Sequence, residues 1–530
     1  MCSFRLRLRR AFVLISATAL IVTIWLSPFL HPSHTVAKAN GDVQQLVQMG
    51  VEHYEAGKFL SAIDPWLSAY TTYEAAQNSA ALAIVSENLA RAYQQLGQTS
   101  TEVEYWESAI AAIQSQNNPE KLGRLLTEQA QAYNRLGQQR RAIAILCGQS
   151  TLQTQASTTT VSMTATTDCQ TGSALQISQS TADQLGQITA LGSLGEAYRL
   201  SGDREQAMAL FEQALNISRS SGEVELEGAL LNSLGNTSTG LAQVSYRRAN
   251  EAEARGDREA ATFRREADSI NAEAIEYFES SYTLAKQQQS AADQIRVLLS
   301  LIPAYERADQ QNTAQQYWQL AATTLEQLPA SQMKAFAAIK LSDYLEPPSV
   351  RSLQTVLNAT PPSPETESQS TNLLTEAVAI GKTIENPRVV SFALGKLGNL
   401  EERAGRYDSA LGKTQDARLF ADQDLAAQDS LYLLEWQMGR LLRKQGKLAD
   451  AEQAYRQAVT LLDQIRSDIL NANRDFQFDF RDTVAPIYRQ YAELNLEQVP
   501  VASVLRKGEP SFDELDTTLT TLDSLKVAEL

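Results

Sequence analysis

The sequence predicts an all-α chain, built as a solenoid of about nine helix pairs. A small residue recurs in helix-favouring stretches with a period of about 40 positions, and Pro and Gly are sparse between residues 40 and 345. A fixed period of this length is typical of arrays in which each unit buries its apolar face by stacking on its neighbours. The recurring positions are Gly50, Ala90, Ala130, Gly195, Gly235, Ile302, Ser342, Gly398 and Gly439.

Residues 187–220 show the unit most clearly. A first helix carries Gly195 and Tyr198 on one face, a turn follows at Gly202, and a second helix carries Phe211 on the facing side. The small residue lets the two helices approach closely, and the aromatic residues fill the space beside it. The unit therefore predicts a tightly packed helix pair.

This alternation of small and large residues resembles the tetratricopeptide repeat, which implies a right-handed solenoid. Some units depart from the pattern: Glu102 replaces the small residue of the second helix, Ile302-Pro303 replaces that of the first helix, and Ser238 replaces the Tyr. The unit around residues 335–380 is degenerate. Because the pattern recurs in phase in eight units, the resemblance extends over most of the chain.

Three insertions interrupt the period, near residues 148–182, 241–272 and 346–370. The first is rich in Ser and Thr. The second is predicted as helix, turn at Gly256-Asp257, and helix, which would extend roughly 20 Å beyond the array at 1.5 Å per residue. The third contains five prolines and is predicted to be a mobile loop.

The C-terminal segment resembles the end of the array in bacterial tetratricopeptide proteins that carry a CHAT domain, a caspase-like cysteine protease. The resemblance rests on Phe478-Asp479-Phe480-Arg481-Asp482, Pro486-Ile487-Tyr488-Arg489 and Leu522–Leu530. It implies an array over 43–464, capping helices over 465–500, and a linker over 501–530 that in this family leads into the CHAT domain.

The residues that such a protease needs are absent from this sequence. A CHAT domain uses a His and a Cys as base and nucleophile, whereas the histidines here are His31, His34 and His53, and no Cys follows Cys169. His53 occupies a packing position of the first repeat. No phosphate-binding loop, HExxH motif or zinc-spaced cysteine pair occurs, so we expect no catalytic residue, metal or cofactor.

The N-terminus is predicted to be a targeting segment over residues 1–39. Four arginines precede an apolar run over residues 11–30, and Ala37-Lys38-Ala39 offers the small residues that a signal peptidase recognises. We expect export to the bacterial periplasm or the extracellular space. The alternative is an uncleaved anchor in the inner membrane, because the apolar run is about 20 residues long.

Two cysteines, Cys147 and Cys169, remain outside that segment and flank a Ser/Thr-rich stretch at residues 150–171. In an oxidising compartment they are predicted to form a disulfide that closes the loop, which would stabilise the fold by roughly 3 kcal/mol on a loop-entropy estimate. The alternative is two unrelated thiols, with Cys147 buried at the end of a helix.

In the tetratricopeptide fold the first helices of successive repeats line a concave groove. Asn side chains there can pair with the backbone of an extended peptide, although simple solvation is the alternative for each residue. Arg440, Arg443 and Lys444 would form a basic patch suited to an acidic peptide end. The polar residues predicted to face the groove are Asn88, Arg91, Gln131, Glu196, Arg199, Asn232, Asn236, Lys396, Asn399, Arg440 and Arg443.

These observations predict a non-catalytic, exported scaffold that binds protein or peptide segments in its groove. The alternative is the regulatory half of a split or truncated CHAT protease, whose partner is a separately encoded CHAT-like domain. The net charge of −16 argues against nucleic acid and anionic lipid as partners. Membrane contact is expected only through the N-terminal segment, if that segment is uncleaved.

Overall fold

The computed structural model describes residues 34–148, 169–346, 361–422, 428–470 and 486–497. These residues form twenty helices and no strand. The helices are α1 (His34–Glu55), α2 (Phe59–Ala75), α3 (Ser79–Leu96), α4 (Thr99–Gln114), α5 (Pro119–Arg135), α6 (Gln139–Cys147), α7 (Ala174–Ser180), α8 (Gln184–Ser201), α9 (Arg204–Ser221), α10 (Val224–Ala254), α11 (Ala260–Gln287), α12 (Ala291–Arg307), α13 (Gln311–Glu326), α14 (Gln332–Tyr344), α15 (Pro364–Thr383), α16 (Pro387–Arg403), α17 (Tyr407–Ala421), α18 (Gln428–Lys444), α19 (Leu448–Leu470) and α20 (486–497).

Within the described residues, consecutive helices pack as nine pairs, which confirms the predicted helix-pair solenoid. The pairs are α1/α2, α3/α4, α5/α6, α8/α9, α10/α11, α12/α13, α14/α15, α16/α17 and α18/α19. We number them 1 to 9 and call their members the first and second helix. The described residues from Leu46 onward belong to one compact unit.

In four pairs, a glycine of the first helix lies against a ring of the second. These are Gly50 and Trp66, Gly195 and Phe211, Gly235 and Phe278, and Gly439 and Tyr455. A Cβ atom added to Gly235 would lie only 2.5 Å from the Phe278 ring, which is 1% exposed. Any larger residue at this position would therefore force the two helices apart.

Pair 5 is longer than the others because the second insertion extends both of its helices. Phe278 follows Gly235 by 43 positions, whereas the ring follows its glycine by 16 positions in the other three pairs. The additional residues continue α10 to Ala254 and begin α11 at Ala260. Gly256 supplies the left-handed turn between them, with φ of +70°. Alanines fill the contact between the extended helices: Ala242, Ala249, Ala252, Ala267 and Ala274.

One of the predicted insertions contains helix where a loop was expected. Within the third, predicted as a loop through residue 370, α15 begins at Pro364. The hydroxyl oxygen of Ser363 accepts a hydrogen bond from the backbone N–H of Thr366 and so caps the helix. Proline is tolerated in the first turn, because the N–H groups there have no carbonyl partner within the helix. The first insertion contains α7. Residues 149–168 and 347–360 lie outside the described part of the chain.

The first insertion is closed at its base by a disulfide between Cys147 and Cys169, whose Cα atoms lie 4.5 Å apart. Cys147 ends α6, and the backbone N–H of Gln170 donates to the carbonyl of Cys147 at 2.8 Å. Both cysteines pack against the core of pairs 2 to 5. The bridge therefore joins the end of α6 to the segment that leads into α7.

Helix α20 caps the last pair. Ile487, Tyr488 and Leu494 are at most 1% exposed and pack in one cluster with Trp436 and Tyr455. Part of the run that resembles the CHAT-associated proteins thus forms the core of this cap. Residues 478–482 and 522–530, which carry the rest of the resemblance, lie outside the described residues, as do residues 1–33 with the predicted leader. None of the described helices is both long enough and apolar enough to span a bilayer.

We predict that Gly235→Ala destabilises the chain, because the new methyl group overlaps the buried Phe278 ring. The expected loss is about 1–3 kcal/mol, as for other overpacked cores. The matched control is Gly412→Ala in α17, where an added Cβ atom has no neighbour within 4 Å and helix propensity should give a gain of up to about 1 kcal/mol. Urea unfolding followed by circular dichroism measures both variants. Equal midpoints for the two would contradict the packing account.

Candidate binding cleft

The first helices of pairs 7, 8 and 9, together with part of α15, line an open cavity of about 330 Å³, which we call the C-terminal cleft. Its wall is partly aromatic and aliphatic, with Tyr344 on α14, Phe392 on α16 and Leu433 on α18. Gly395 lets α16 and α18 meet closely, since a Cβ atom there would lie 2.8 Å from Leu434. The repeat geometry therefore places three successive first helices around one site.

A ladder of ion pairs joins these three helices. Lys396 on α16 bonds Asp343 on α14 at 2.6 Å. Arg403 at the end of α16 pairs with Glu346 at 2.9 Å, and its side chain is 8% exposed. Because each pair spans two repeats, the ladder fixes the relative position of α14 and α16.

The most buried of these ion pairs joins Arg440 on α18 to Glu402 on α16. The Nε and Nη2 atoms of Arg440 donate to the two carboxylate oxygens of Glu402 at 2.9 and 2.8 Å. Its guanidinium lies 4.1 Å from the ring centre of Trp436, whose indole N–H donates to Gln490 on α20 at 2.9 Å. The cap, the last pair and the C-terminal cleft are thus connected through a few side chains.

Three residues predicted for the groove, namely Lys396, Asn399 and Arg440, line the C-terminal cleft. Arg440 is only 6% exposed, however, so it lies in the floor and not on an open surface. Arg443 pairs with Glu497 and lies 3.8 Å from Glu493, both on α20. The expected basic patch is therefore largely compensated, because acids of α16 and α20 pair with both arginines.

The groove residues predicted in pairs 2 to 4 bond mainly to their neighbours. Arg91 pairs with Glu87 at 2.9 Å, one turn earlier on α3. Gln131 donates to Ser193 of the next first helix at 3.0 Å. Glu196 and Arg199 pair with each other on α8 at 2.6 Å, and Asn88 is half-buried on α3. The structure does not gather these residues into one cavity.

Pair 5 contributes the clearest correction. Asn232 was expected to face the groove; it is 8% exposed and lines a small, partly open pocket together with Gln288, the residue that follows α11. Asn236, one turn later, accepts a long hydrogen bond of 3.4 Å from Ser300 on α12. Helical phase alone does not reveal that α11 and α12 cover part of this face of α10.

The cleft also contains residues that the phase analysis did not select, namely Lys340, Tyr344, Phe392 and Leu433. A signal for two of them exists in the sequence. Phe392 and Leu433 each precede the recurring small residue, Gly398 or Gly439, by six positions. Phe336 holds the same position in pair 7 and packs edge-on against Phe392, with ring centres 6.1 Å apart. Pairs 7, 8 and 9 thus all have a large apolar residue at this position, as does pair 2 at Ile84.

A buried carboxylate lies in pair 2, where Glu102 replaces the usual small residue. Glu102 is fully buried, accepts the indole N–H of Trp106 at 3.0 Å and pairs with Arg135. Burial raises the pKa of Glu102 above its ordinary value of 4.5, although Arg135 acts in the opposite direction. For Glu87, burial would also raise the pKa, but the charges and hydrogen bonds of Lys121 and Arg91 together outweigh it and lower the pKa.

Comparison with protein families finds tetratricopeptide repeats in this chain. Two tetratricopeptide repeat families match, one at residues 173–220 and one at residues 436–461. No curated protein matches this chain. In the described residues, no group of three or more His, Cys, Asp or Glu side chains is placed to hold a metal ion.

Several solved structures are similar to this chain. BtubC (BKLC) from P. vanneervenii is 15% identical over 53% of this chain and 90% of its own, with a TM-score of 0.31. A monomeric IFIT1 mutant with Gppp-AAAA is 12% identical over 91% and 90%, with a TM-score of 0.39. The apo quorum sensor NprR from B. thuringiensis is 13% identical over 89% and 99%, with a TM-score of 0.28.

We predict that Glu102→Gln changes the pH dependence of stability. Folding raises the pKa of Glu102, so the folded state holds this proton more tightly than the unfolded state does. The resulting contribution to the free energy of unfolding is fully present below about pH 4.5, and it is lost as pH rises through the pKa of the folded state. Gln keeps an oxygen acceptor for Trp106 and Arg135 without the buried charge. Relative to wild type, the variant should therefore gain stability as pH rises from about 4.5 to about 7.

Melting temperatures across this pH range test the prediction. Glu104→Gln is the control, because Glu104 is exposed on the same helix. A pH-independent difference between Glu102→Gln and wild type, or one that favours wild type increasingly at neutral pH, would contradict the account.

Proposed function

We propose that this chain is a non-catalytic, exported scaffold that binds protein or peptide segments in its concave groove, with the C-terminal cleft as the principal site. The observation that carries the proposal is the cleft itself, an open cavity of about 330 Å³ shared by three successive first helices. Tetratricopeptide repeats generally mediate contacts between proteins, and a cavity that spans repeats suits an extended segment.

The residues of the cleft suit a peptide in two ways. Phe392 and Leu433 offer apolar surface to a side chain, and the half-buried Asn399 can both donate to and accept from a peptide backbone. The ion pairs of Lys396 and Arg440 hold the helices in place before a ligand arrives. A preformed site loses less conformational entropy on binding, which favours affinity.

Export is supported by the leader-like segment at residues 1–39 and by the bridge between Cys147 and Cys169. Disulfides form and persist in the periplasm and outside the cell, and they are rare in the cytosol. An uncleaved anchor over residues 11–30 would leave the array in the same compartment. Both forms of the protein would thus present the cleft outside the inner membrane.

The alternative, a regulatory half of a split CHAT protease, is carried by the run at residues 478–489. Ile487 and Tyr488 in this run pack in the cap formed by α20, so they have a structural role within the array. The sequence of the downstream reading frame separates the two functions. Peptidase activity that appears only when a separately encoded CHAT-like protein is added would favour the alternative.

We predict that a random peptide display library enriches peptides on the immobilised chain and that Phe392→Ala weakens their binding roughly tenfold, since a buried apolar anchor commonly contributes more than 1 kcal/mol. Leu419→Ala is the matched control, because Leu419 is 62% exposed on α17 and does not line the cleft. Titration calorimetry with the enriched peptides gives both affinities. Failure to enrich any peptide, or equal binding by Phe392→Ala and wild type, would contradict the proposal.

A further inference from the structure

We propose that the exposed face of α13 is a contact surface for a second copy of this chain. The surface consists of the exposed side chains of this helix from Gln311 to Thr323, and we call it the α13 face. The inference goes beyond the proposed function and does not depend on it. It follows from the absence of charge on this face, from the chemistry of its amides and from one exposed leucine.

The α13 face is uncharged, although it belongs to a chain with a net charge of −16. From position 310 to position 325 the sequence contains no Asp, Glu, Lys or Arg. Each of the other eight second helices exposes at least one charged side chain ahead of its last turn. The exposed residues of the α13 face are Gln311, Asn312, Gln315, Gln316, Gln319, Leu320 and Thr323.

The equivalent helix of pair 2 shows how the α13 face differs. A Tyr-Trp dipeptide lies at the same place in both helices, beginning at Tyr105 in α4 and at Tyr317 in α13, and each tyrosine ring stacks on a tyrosine of its first helix. The positions on either side of this dipeptide are exposed in both helices. They are Glu104 and Glu107 in α4, and Gln316 and Gln319 in α13. The chain thus has amides in pair 6 where it has carboxylates in pair 2.

Charge limits where two copies of this chain can meet. Because the chain is strongly acidic, most of its surfaces would bring like charges together, which is unfavourable across an interface. Salt screens charges that are more than about 8–10 Å apart, so the charges that matter are those within or beside the contact. The α13 face contributes none. Its charged neighbours lie at its edge, as in other interfaces: Glu279 accepts from Tyr317, and Glu326 ends the helix.

The amides favour an identical partner. A glutamine side chain has both donors and an acceptor, so two glutamines can bond each other reciprocally, whereas two carboxylates cannot. In a two-fold contact the same surface is used by both copies, which requires a surface that is complementary to itself. Within the described residues, none of the five amide side chains of the α13 face has a hydrogen-bond partner. All five are therefore available to a second copy.

The α13 face is also arranged as a contact between two helices requires. Its exposed positions 312, 316, 319 and 323 follow at spacings of three and four residues and so form one row along the helix. Leu320, beside this row, is 38% exposed and offers an apolar anchor to the opposite helix. Two copies in antiparallel orientation bring their rows together about a two-fold axis near the middle of α13. One helix from each copy makes a small interface, so we expect a weak, reversible dimer.

Self-association through α13 leaves the C-terminal cleft of each copy open, because no residue of α13 lines that cleft. The dimer therefore carries two clefts. If the cleft binds peptide segments as proposed, the dimer can hold two segments of one partner at once, which raises the apparent affinity without a new contact.

The test measures self-association of the purified full chain by sedimentation velocity over a range of concentrations. Wild type should change from monomer to dimer as its concentration rises. Gln316→Glu combined with Gln319→Glu gives α13 the exposed residues that α4 already carries, and it should weaken association about tenfold or more, because like charges then meet at the contact. Added salt should restore part of the association of this variant. Gln453→Glu combined with Gln457→Glu makes the same charge change on the exposed face of α19 and should associate as wild type does.

A charge-swap experiment identifies the partner as a second copy. Gln316→Lys combined with Gln319→Lys should also weaken self-association, because two positive faces repel each other. When this variant is mixed with the Gln316→Glu, Gln319→Glu variant, opposite charges meet and a mixed dimer should form. Differently tagged copies, captured by one tag and detected by the other, report the mixed dimer.

A chain that remains monomeric at every concentration would overturn the inference. A dimer that both double variants of α13 form as readily as wild type would overturn it too, since association would then use another surface. Failure of the two variants to form a mixed dimer would show that α13 does not meet α13 and would equally defeat the inference. Matched melting curves establish that each variant is folded.

Discussion

The close contact between a small residue of the first helix and a large residue of the second sets the spacing of the helices in pairs 1, 4, 5 and 9. At Gly195 and Gly235 there is no room for a side chain, because a ring of the second helix occupies the space. This contact fixes the distance within a pair, and repetition of the pair then fixes how first helices stand beside one another. The C-terminal cleft exists because three first helices follow in succession with this spacing.

Charged contacts have a different role from the apolar ones. The buried pair between Arg440 and Glu402 gains Coulomb energy but loses the hydration of both ions, so its net contribution to stability is small. Its geometry, with two parallel hydrogen bonds, nevertheless specifies the register of α18 against α16. Apolar packing therefore stabilises the pairs, and ion pairs determine how the last three pairs are arranged around the cleft.

The repeat period is sufficient to predict the fold, because each pair depends on contacts between residues close in sequence. Local signals also explain where the prediction failed: Ser363 and Pro364 start a helix inside a stretch that its prolines had marked as loop. The groove was harder to predict. Lys396 and Asn399, which the helical phase selected, line the C-terminal cleft, whereas the burial of Asn232 and the pairing of Arg443 depend on residues of other helices.

The C-terminal cleft thus contains some residues that the sequence analysis selected and others that it did not. Tyr344 and Lys340 contribute to the cleft through the fold of pair 7, the unit whose sequence departs most from the repeat. Phe392 was detectable in principle, since it belongs to a row of apolar residues with constant spacing from the small residue. The charge of the cleft follows only from which basic side chains share one cavity.

The central claim, that the C-terminal cleft is where the chain binds a peptide segment, is tested most directly by site-specific photo-crosslinking. A photoreactive amino acid replaces Asn399 in one protein and Leu419 in another, and each is irradiated with a peptide enriched from the library. The account predicts a cross-linked product with the probe at position 399 and little or none at position 419. Equal products at the two positions, or a product only at 419, would contradict it.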